Sequence, residues 1–392
     1  MTYIRKNEAI TVLGCALRIV GMLCATGPIM QAFLASLGFP SRFLYIHSTL
    51  TQAANLLTIF LFSRWADRGS IVKRSALIQV PYALLYLCYI PLCLWQSPSM
   101  GSFIALTGIC LLQSVFLALY TVCEYKLPYF CYPPEDTGTV SAVCGIVGGL
   151  LSLGSGVVVS WLSGFMSYPR LMLIACCFSL VVFLINIVIT LLLKPMPDVA
   201  PVQHTKKRMP LKTVLQHPIF YKLISANLLR GFSFGTTTVM AAVALDLGFG
   251  EGTLTALVSF QSAATLIGCT VYGVISRFIA SRKLIFFGSL CFLAVPVMLF
   301  AGQWLFFAVF TVMMLGRTIV DYAVPTALRF VVPVEIAGPY NALRMLLHNG
   351  GTLLATTLAA FLPVSWLLIL TTTLQLISGL RYLTVKEMRP AA

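Results

Sequence analysis

Nine ionisable side chains lie within or at the ends of long apolar runs of the chain. They are Arg18, Glu124, Lys126, Arg230, Asp246, Arg317, Asp321, Arg329 and Arg344. A charge is costly in an apolar medium, so such side chains are expected to face a charged partner, a cavity or a ligand. A guanidinium group stays charged and binds carboxylates or phosphates through paired hydrogen bonds, whereas a carboxyl group can take up and release a proton. These residue types therefore predict the binding of anions and the movement of protons.

The sequence carries no motif of an enzyme or of a metal site. Its four histidines, His47, His204, His217 and His348, follow no metal-ligand spacing, and its twelve cysteines include no C-x-x-C pair. It also lacks a Walker sequence for nucleotides, and no G-x-S-x-G nucleophile motif lies beside a loop. The loops are too short to contain an enzyme domain. We therefore expect neither catalysis nor a cofactor.

The composition excludes a soluble globular protein. Hydrophobic residues make up 59% of the 392 residues and charged residues 9%, against about 25% charged in an ordinary soluble domain. Continuous apolar runs of about 18 residues or more, without the alternation of a membrane β-barrel, predict helices that cross a bilayer. We predict an all-α membrane protein with twelve transmembrane helices. The spans are 10–37, 43–63, 75–95, 102–130, 140–164, 170–193, 222–246, 252–275, 284–301, 303–331, 340–362 and 365–383.

The net charge of +15 is explained by the direction in which the chain crosses the membrane. With the N-terminus inside, eighteen Lys and Arg residues lie in cytoplasmic segments, six lie in spans, and only Arg42 and Arg170 lie outside. Because cytoplasmic loops are enriched in basic residues, both termini are predicted in the cytoplasm of a multi-pass protein of the cell membrane. Nucleic acid is not expected as a partner.

The chain is predicted to consist of two related halves. A proline-rich basic segment, 195–221, divides it into bundles of six spans at 1–194 and 222–392 and is interpreted as a cytoplasmic linker. A shift of 210 residues aligns Leu37-Gly38-Phe39 with Leu247-Gly248-Phe249 and Ala53-Ala54 with Ala263-Ala264. Several identities in register at matching hydropathy positions indicate parallel repeats, as in many transporters.

The loop after span two, SRWADRGSIVKR at 63–74, resembles the signature G-x-L-A-D-R-x-G-R-[RK] of the major facilitator superfamily, although its first glycine is replaced by serine. A degenerate copy, GVISR at 273–277, follows span eight. The resemblance implies two pseudo-symmetric six-helix bundles that expose one site to alternate sides of the membrane. It also implies a gating role for Asp67, Arg68, Lys73, Arg74 and Arg277. The basic residues among them could equally be positive-inside anchors.

Polar side chains at helical spacing mark candidate substrate-binding faces. They occur on spans one, two, four, seven, eight and eleven, whereas spans three, six, nine and twelve carry none of the nine ionisable residues named above and are expected to face lipid. The candidates are Arg18, Thr26, Thr51, Asn55, Tyr120, Arg230, Thr237, Gln261, Arg344 and His348. For any single hydroxyl or amide, a hydrogen bond between helices is the alternative interpretation.

Glu124 and Asp321 are the candidate proton-coupling carboxylates, with Arg317 one helical turn from Asp321. Two structural alternatives stay open. Arg317 and Asp321 can form an i, i+4 salt bridge, and Glu124 can neutralise Arg18 or Arg344. Lys126 and Arg329, near helix ends, are interpreted as snorkelling residues.

We predict a monomeric secondary active transporter that moves a small organic solute through the lipid bilayer by alternating access, driven by protons or by exchange. The pair Arg18 and Arg230, at nearly equivalent places on spans one and seven, is similar to the arginine pair with which organophosphate antiporters of the superfamily hold phosphate. An organic anion is therefore the expected substrate. The alternatives are an efflux pump for drugs and other amphipathic compounds, a lipid flippase, and a non-transporting membrane receptor or scaffold.

Overall fold

The structure is a computed structural model, and it describes residues 3–25, 28–62, 70–95, 99–124, 127, 131–132, 136–194, 218–276, 278–331 and 334–385. Most of the predicted linker, 195–221, lies outside this part of the chain. Within it the regular structure is entirely helical. We number the helices α1 to α12, so that each corresponds to the predicted span of the same number.

The helices follow the predicted spans one to one. Their bounds are α1, Tyr3–Ala25 and Pro28–Ser36; α2, Ser41–Phe62; α3, Ile71–Trp95; α4, Met100–Glu124; α5, Thr137–Ser163; α6, Tyr168–Leu191; α7, Pro218–Thr238 and Met240–Asp246; α8, Glu251–Ile275; α9, Ser281–Leu290 with the 3₁₀ helix Cys291–Phe300; α10, Gln303–Val331; α11, Val334–Ala359; and α12, Val364–Leu383. Among the described residues, eight helices are each long and apolar enough to cross a membrane, and α7 makes nine if its two segments form one span. The chain is thus an all-α membrane protein.

Among the described residues, α7 and α9 depart from a straight α-helix. The segments of α7 meet at Val239 with a bend of 57°. Helix α9 changes to 3₁₀ geometry over its last ten residues, which include Pro296. Proline supplies no N–H group and clashes with the preceding turn, so it weakens the α-helical pattern at that point. No proline lies at the bend of α7, so the residues there do not predict a break.

The helices pack into two compact units, and the first contains Met1–Gln203 together with Gly248–Ser262. In this unit α1 packs against α5 and α6, and α3 packs against α4 and α6. The hydroxyls of Ser152 on α5 and Ser262 on α8 share a hydrogen bond.

The second unit contains His204–Leu247 and Ala263–Ala392. Here α7 packs against α11 and α12, and α9 packs against α10 and α12. These are the same pairs as in the first unit, six helices later. The two glycines that the repeat aligns, Gly38 and Gly248, both adopt a left-handed conformation, with φ of 86° and 85°, in the turns after α1 and α7. The fold therefore confirms two pseudo-symmetric six-helix bundles.

Buried polar side chains hold α3 against α6 and α9 against α12, the helices expected to face lipid. On α3 and α6, Asn186 donates a hydrogen bond to the Oε1 atom of Gln79 at 2.6 Å. On α9 and α12, Gln375 donates to the hydroxyl of Ser289 at 3.0 Å. The opposite sides of α3 and α6 expose large apolar side chains such as Leu77, as expected of surfaces in contact with lipid.

Candidate functional site

The first unit brings three of the predicted residues together between α1 and α4. The guanidinium group of Arg18 forms a salt bridge with the carboxylate of Glu124. It also lies over the ring of Tyr120, with 5.4 Å between the guanidinium carbon and the ring centroid. Tyr120 and Glu124 are one turn apart on α4, so both reach the same arginine. The charge of Arg18 is thus stabilised by a carboxylate and by the face of an aromatic ring.

The second unit has a corresponding cluster between α7 and α10. The carboxylate of Asp321 lies 3.8 Å from Nη1 of Arg230 through Oδ1 and 3.5 Å from Nε of Arg317 through Oδ2. Arg317 and Asp321 are one turn apart on α10, whereas Arg230 belongs to α7. One carboxylate therefore serves two guanidinium groups. Such sharing leaves the cluster with more positive than negative charge.

Arg317 makes two further contacts with α7. It donates a hydrogen bond to the hydroxyl of Thr237, and its guanidinium carbon lies 3.7 Å from the centroid of the Phe234 ring. The other neighbour of Phe234 is His348 on α11, with the ring centroids 5.1 Å apart and the rings nearly perpendicular. Phe234 thus separates the imidazole from the guanidinium group of Arg317.

The arginine of each pair is more buried than its carboxylate. The side chain of Arg18 is 16% exposed and that of Glu124 33%; the values for Arg230 and Asp321 are 11% and 34%. In both pairs the carboxylate is thus the more accessible member.

A small cavity of about 10 Å³ lies beside the second cluster. This is room for roughly one water molecule. Its walls are formed by Arg230, Ser233, Phe234, Phe292, Arg317, Val320, Asp321 and Gln375.

The second unit also contains unpaired polar atoms. Among the described residues, the Nε atoms of Arg230 and Arg344 and the Nδ1 atom of His348 are buried and have no hydrogen-bond partner. Buried groups of this kind normally find a partner, because leaving one unpaired costs about 1–3 kcal/mol or more. These three atoms can therefore form hydrogen bonds with a ligand, or with other parts of the protein if the helices rearrange.

Glycines allow α7 and α11 to touch through their backbones. A Cβ atom at Gly231 would overlap the carbonyl oxygen of His348, and one at Gly351 would overlap that of Leu228. At Gly235 it would lie 2.5 Å from the carbonyl oxygen of Thr352. The spacing of Gly231 and Gly235 is the small-xxx-small pattern of close helix packing, so the residues alone could have predicted a close-packing face on α7, although not its partner helix. The contact fixes the position of Arg230 relative to His348.

The structure places the other predicted residues apart from these clusters or gives them local partners. Thr51 donates its hydroxyl hydrogen to the carbonyl oxygen of Ser48 in its own helix, at 2.9 Å. The Oδ1 atom of Asn55 is buried and unpaired among the described residues. Gln261 lies half-buried on α8, and Lys73 and Arg74 lie in the first turn of α3. Thr26, Asp67, Arg68, Arg277 and Lys126 lie outside the described residues, as does the side chain of Arg329.

Both structural alternatives for the carboxylates are realised. Glu124 neutralises Arg18, and Asp321 forms the i, i+4 pair with Arg317. Arg18 and Arg230 each contact a carboxylate on the fourth helix of their own bundle. Arg18 and Glu124 are far apart in the chain, so this pairing depends on helix packing that hydropathy does not reveal.

Comparison with solved structures shows similarity to membrane transporters. A bacterial homologue of the iron transporter ferroportin in an inward-facing state matches with a TM-score of 0.71 and 15% identity, covering 96% of this chain and 98% of that one. An outward-facing state of that homologue with soaked iron gives 0.69 at 15% identity, with the same coverage of 96% and 98%. A mutant of the nucleoside transporter NupG gives 0.68 at 14% identity, covering 97% of this chain and 98% of that one. These identities show a shared fold.

Sequence comparison identifies the family. No curated protein sequence matches the chain significantly. The family model described as Major Facilitator Superfamily matches residues 12–356, a range that contains both arginine–carboxylate clusters. The chain therefore belongs to the Major Facilitator Superfamily of membrane transporters.

Proposed function

We propose that this protein is a secondary active transporter for a small organic anion, driven by protons or by exchange against another anion. It lies in the cell membrane with both termini in the cytoplasm, and it works by alternating access. The observation that carries the proposal is the repeated pair of a buried arginine on the first helix and a more exposed carboxylate on the fourth helix of each bundle. The pair recurs at pseudo-symmetric positions in the two units.

The repeated pair supports a coupling mechanism based on exchange of ion-pair partners. When a proton neutralises Glu124 or Asp321, the buried guanidinium group loses its partner, and a substrate carboxylate or phosphate can replace it. Proton and anion then favour each other's binding, and by linkage the effect is reciprocal. The loaded site has no greater net charge than the empty one. An anion on the opposite side of the membrane can replace the carboxylate in the same way, which gives exchange.

The second unit supplies the stronger attraction for an anion. Arg230 on α7 and Arg317 on α10 lie in one cluster, and Arg344 lies one helical turn before His348 on α11. Asp321 is the carboxylate that contacts two of these arginines. An anion with more than one negative charge, such as a phosphate ester, fits this surplus better than a monocarboxylate does.

The same charges argue against cationic substrates. The similar structures include an iron-transporter homologue and a nucleoside transporter, but the identities of 15% and 14% carry no substrate to this chain. A metal ion or a cationic drug entering the second unit would meet more guanidinium groups than carboxylates. Electrostatic repulsion of several kcal/mol is expected for such close like charges, so efflux of cationic drugs is the weaker proposal.

The substrate class can be tested by transport into proteoliposomes with an imposed proton gradient. The panel consists of sugar phosphates, carboxylates, neutral sugars and cationic drugs. We expect accumulation of one or more anions, with neutral and cationic compounds no faster than in protein-free liposomes. Accumulation of a cationic drug or a neutral sugar, with no transport of any anion, would overturn the proposed substrate class. A protein that moves none of these compounds would favour the receptor or scaffold alternative.

A further inference from the structure

A groove on the second unit, separate from both arginine–carboxylate clusters, has the chemistry of a phospholipid site. It lies where α7 begins and α12 ends, and its volume is about 520 Å³. Its walls are formed by Tyr221, Lys222, Ile377, Leu380, Arg381 and Thr384. This end of both helices is the one that the distribution of basic residues predicts at the cytoplasmic surface.

The residues of the groove are ordered from apolar to cationic along α12. Ile377 and Arg381 are one helical turn apart, a rise of about 6 Å, and so lie on one face. Leu380 is 50% exposed and Ile377 is also exposed. Apolar surface therefore continues directly into a guanidinium group toward the end of the helix. A phospholipid has the same order, with acyl chains inside the bilayer and a phosphate at its surface.

Two cations from different helices face one groove. Lys222 is exposed in the first turns of α7, and Arg381 is held against α7 by a hydrogen bond from its Nη1 atom to the hydroxyl of Ser225. The bond orients the guanidinium group but neutralises none of its charge, since serine is uncharged. Lys222 and Arg381 thus present two positive charges to whatever occupies the groove.

The remaining wall residue, Tyr221, is 62% exposed. Tyrosine is enriched at the level of the lipid head groups, because its ring is apolar and its hydroxyl is polar. Basic pockets between transmembrane helices on the cytoplasmic side bind anionic head groups. We propose that this groove binds an anionic phospholipid, with its phosphate between Lys222 and Arg381 and one acyl chain along Ile377 and Leu380.

Native mass spectrometry of the full chain in detergent tests the site. The probes are phosphatidylglycerol and phosphatidylcholine with identical acyl chains. We expect the wild type to bind phosphatidylglycerol about tenfold more tightly than phosphatidylcholine. In Lys222→Gln/Arg381→Gln this preference should fall to less than about twofold. The control Arg42→Gln/Arg170→Gln removes the same net charge at two exposed positions and should keep the full preference.

Single variants and a phosphate competition separate a lipid site from a site for free phosphate and from a contact between two copies of the chain. Lys222→Gln alone, at an exposed position, should weaken the preference even if the double variant does not fold, and Arg381→Lys should retain most of it. Excess inorganic phosphate should not displace phosphatidylglycerol, since phosphate alone lacks the acyl chain. Any of three results would overturn the assignment. They are an unchanged preference for phosphatidylglycerol in Lys222→Gln/Arg381→Gln, displacement of phosphatidylglycerol by phosphate, and a wild-type dimer that disappears in this variant.

Discussion

At the scale of single residues, the ion pairs explain how arginines can be buried in an apolar bundle. Arg18 is neutralised by Glu124 from another helix, and Arg230 and Arg317 share Asp321. The i, i+4 pair was readable from the sequence, because its spacing is fixed by the helix itself. The pairing across helices was not, since it depends on the rotation of α1 against α4.

Removing one member of such a pair should cost more than removing both. Glu124→Gln leaves the guanidinium group of Arg18 without a counter-ion, so we expect the free energy of unfolding to fall by about 2 kcal/mol. The double variant Arg18→Met/Glu124→Gln should regain most of this loss, because no buried charge remains. Unfolding of the purified protein in detergent measures both. If the loss of stability in the double variant equals the sum of the losses in Arg18→Met and Glu124→Gln, the salt bridge contributes no coupling energy.

At the scale of helices, hydropathy predicted all twelve elements, because a membrane span must be long and apolar. It could not predict the bend at Val239, where no proline or glycine marks the break. Nor could it predict which helices touch. The close approach of α7 and α11 depends on glycines that face the partner backbone. The sequence does not show which of the neighbouring glycines Gly350 and Gly351 does so, although only Gly351 lies against α7.

These two neighbouring glycines give a matched test of the α7–α11 contact. A methyl group at Gly351 would overlap the carbonyl oxygen of Leu228, whereas one at Gly350 meets nothing within 4 Å. We expect Gly351→Ala to destabilise the protein by about 1–3 kcal/mol. Gly350→Ala should be neutral or slightly stabilising, because alanine favours the helix. Thermal unfolding in detergent distinguishes them, and equal effects of the two substitutions would contradict the backbone contact between α7 and α11.

At the scale of the whole molecule, each bundle carries its own arginine–carboxylate pair in the same topological place. The repeat was visible in sequence only as scattered identities, because membrane helices tolerate many apolar replacements. In the fold, the repeat is evident from the recurring helix pairs and from the matched turns at Gly38 and Gly248. Two equivalent clusters suit a transporter that presents related surfaces to the two sides of a membrane.

If protons drive transport, substitution of either carboxylate should abolish coupling to the proton gradient but leave movement of the anion intact. Glu124→Gln resembles the protonated residue permanently, so Arg18 stays available to the anion while the proton no longer has a site. We expect exchange of anions across proteoliposomes to continue, while accumulation driven by a proton gradient falls at least about tenfold. Asp321→Asn should act in the same direction. Full gradient-driven accumulation in both variants would exclude these carboxylates from proton coupling.

The most direct test of anion transport is uptake by proteoliposomes that contain Arg18→Ala or Arg230→Ala. The control is Arg170→Ala, which removes one positive charge at an exposed position. We predict that either cluster variant loses about 99% of anion uptake, on the order of the 3 kcal/mol that a charged hydrogen-bonding partner contributes, while the control transports like the wild type. Anion uptake that persists at the wild-type rate in both Arg18→Ala and Arg230→Ala would contradict a role for the arginine pair in binding the transported anion.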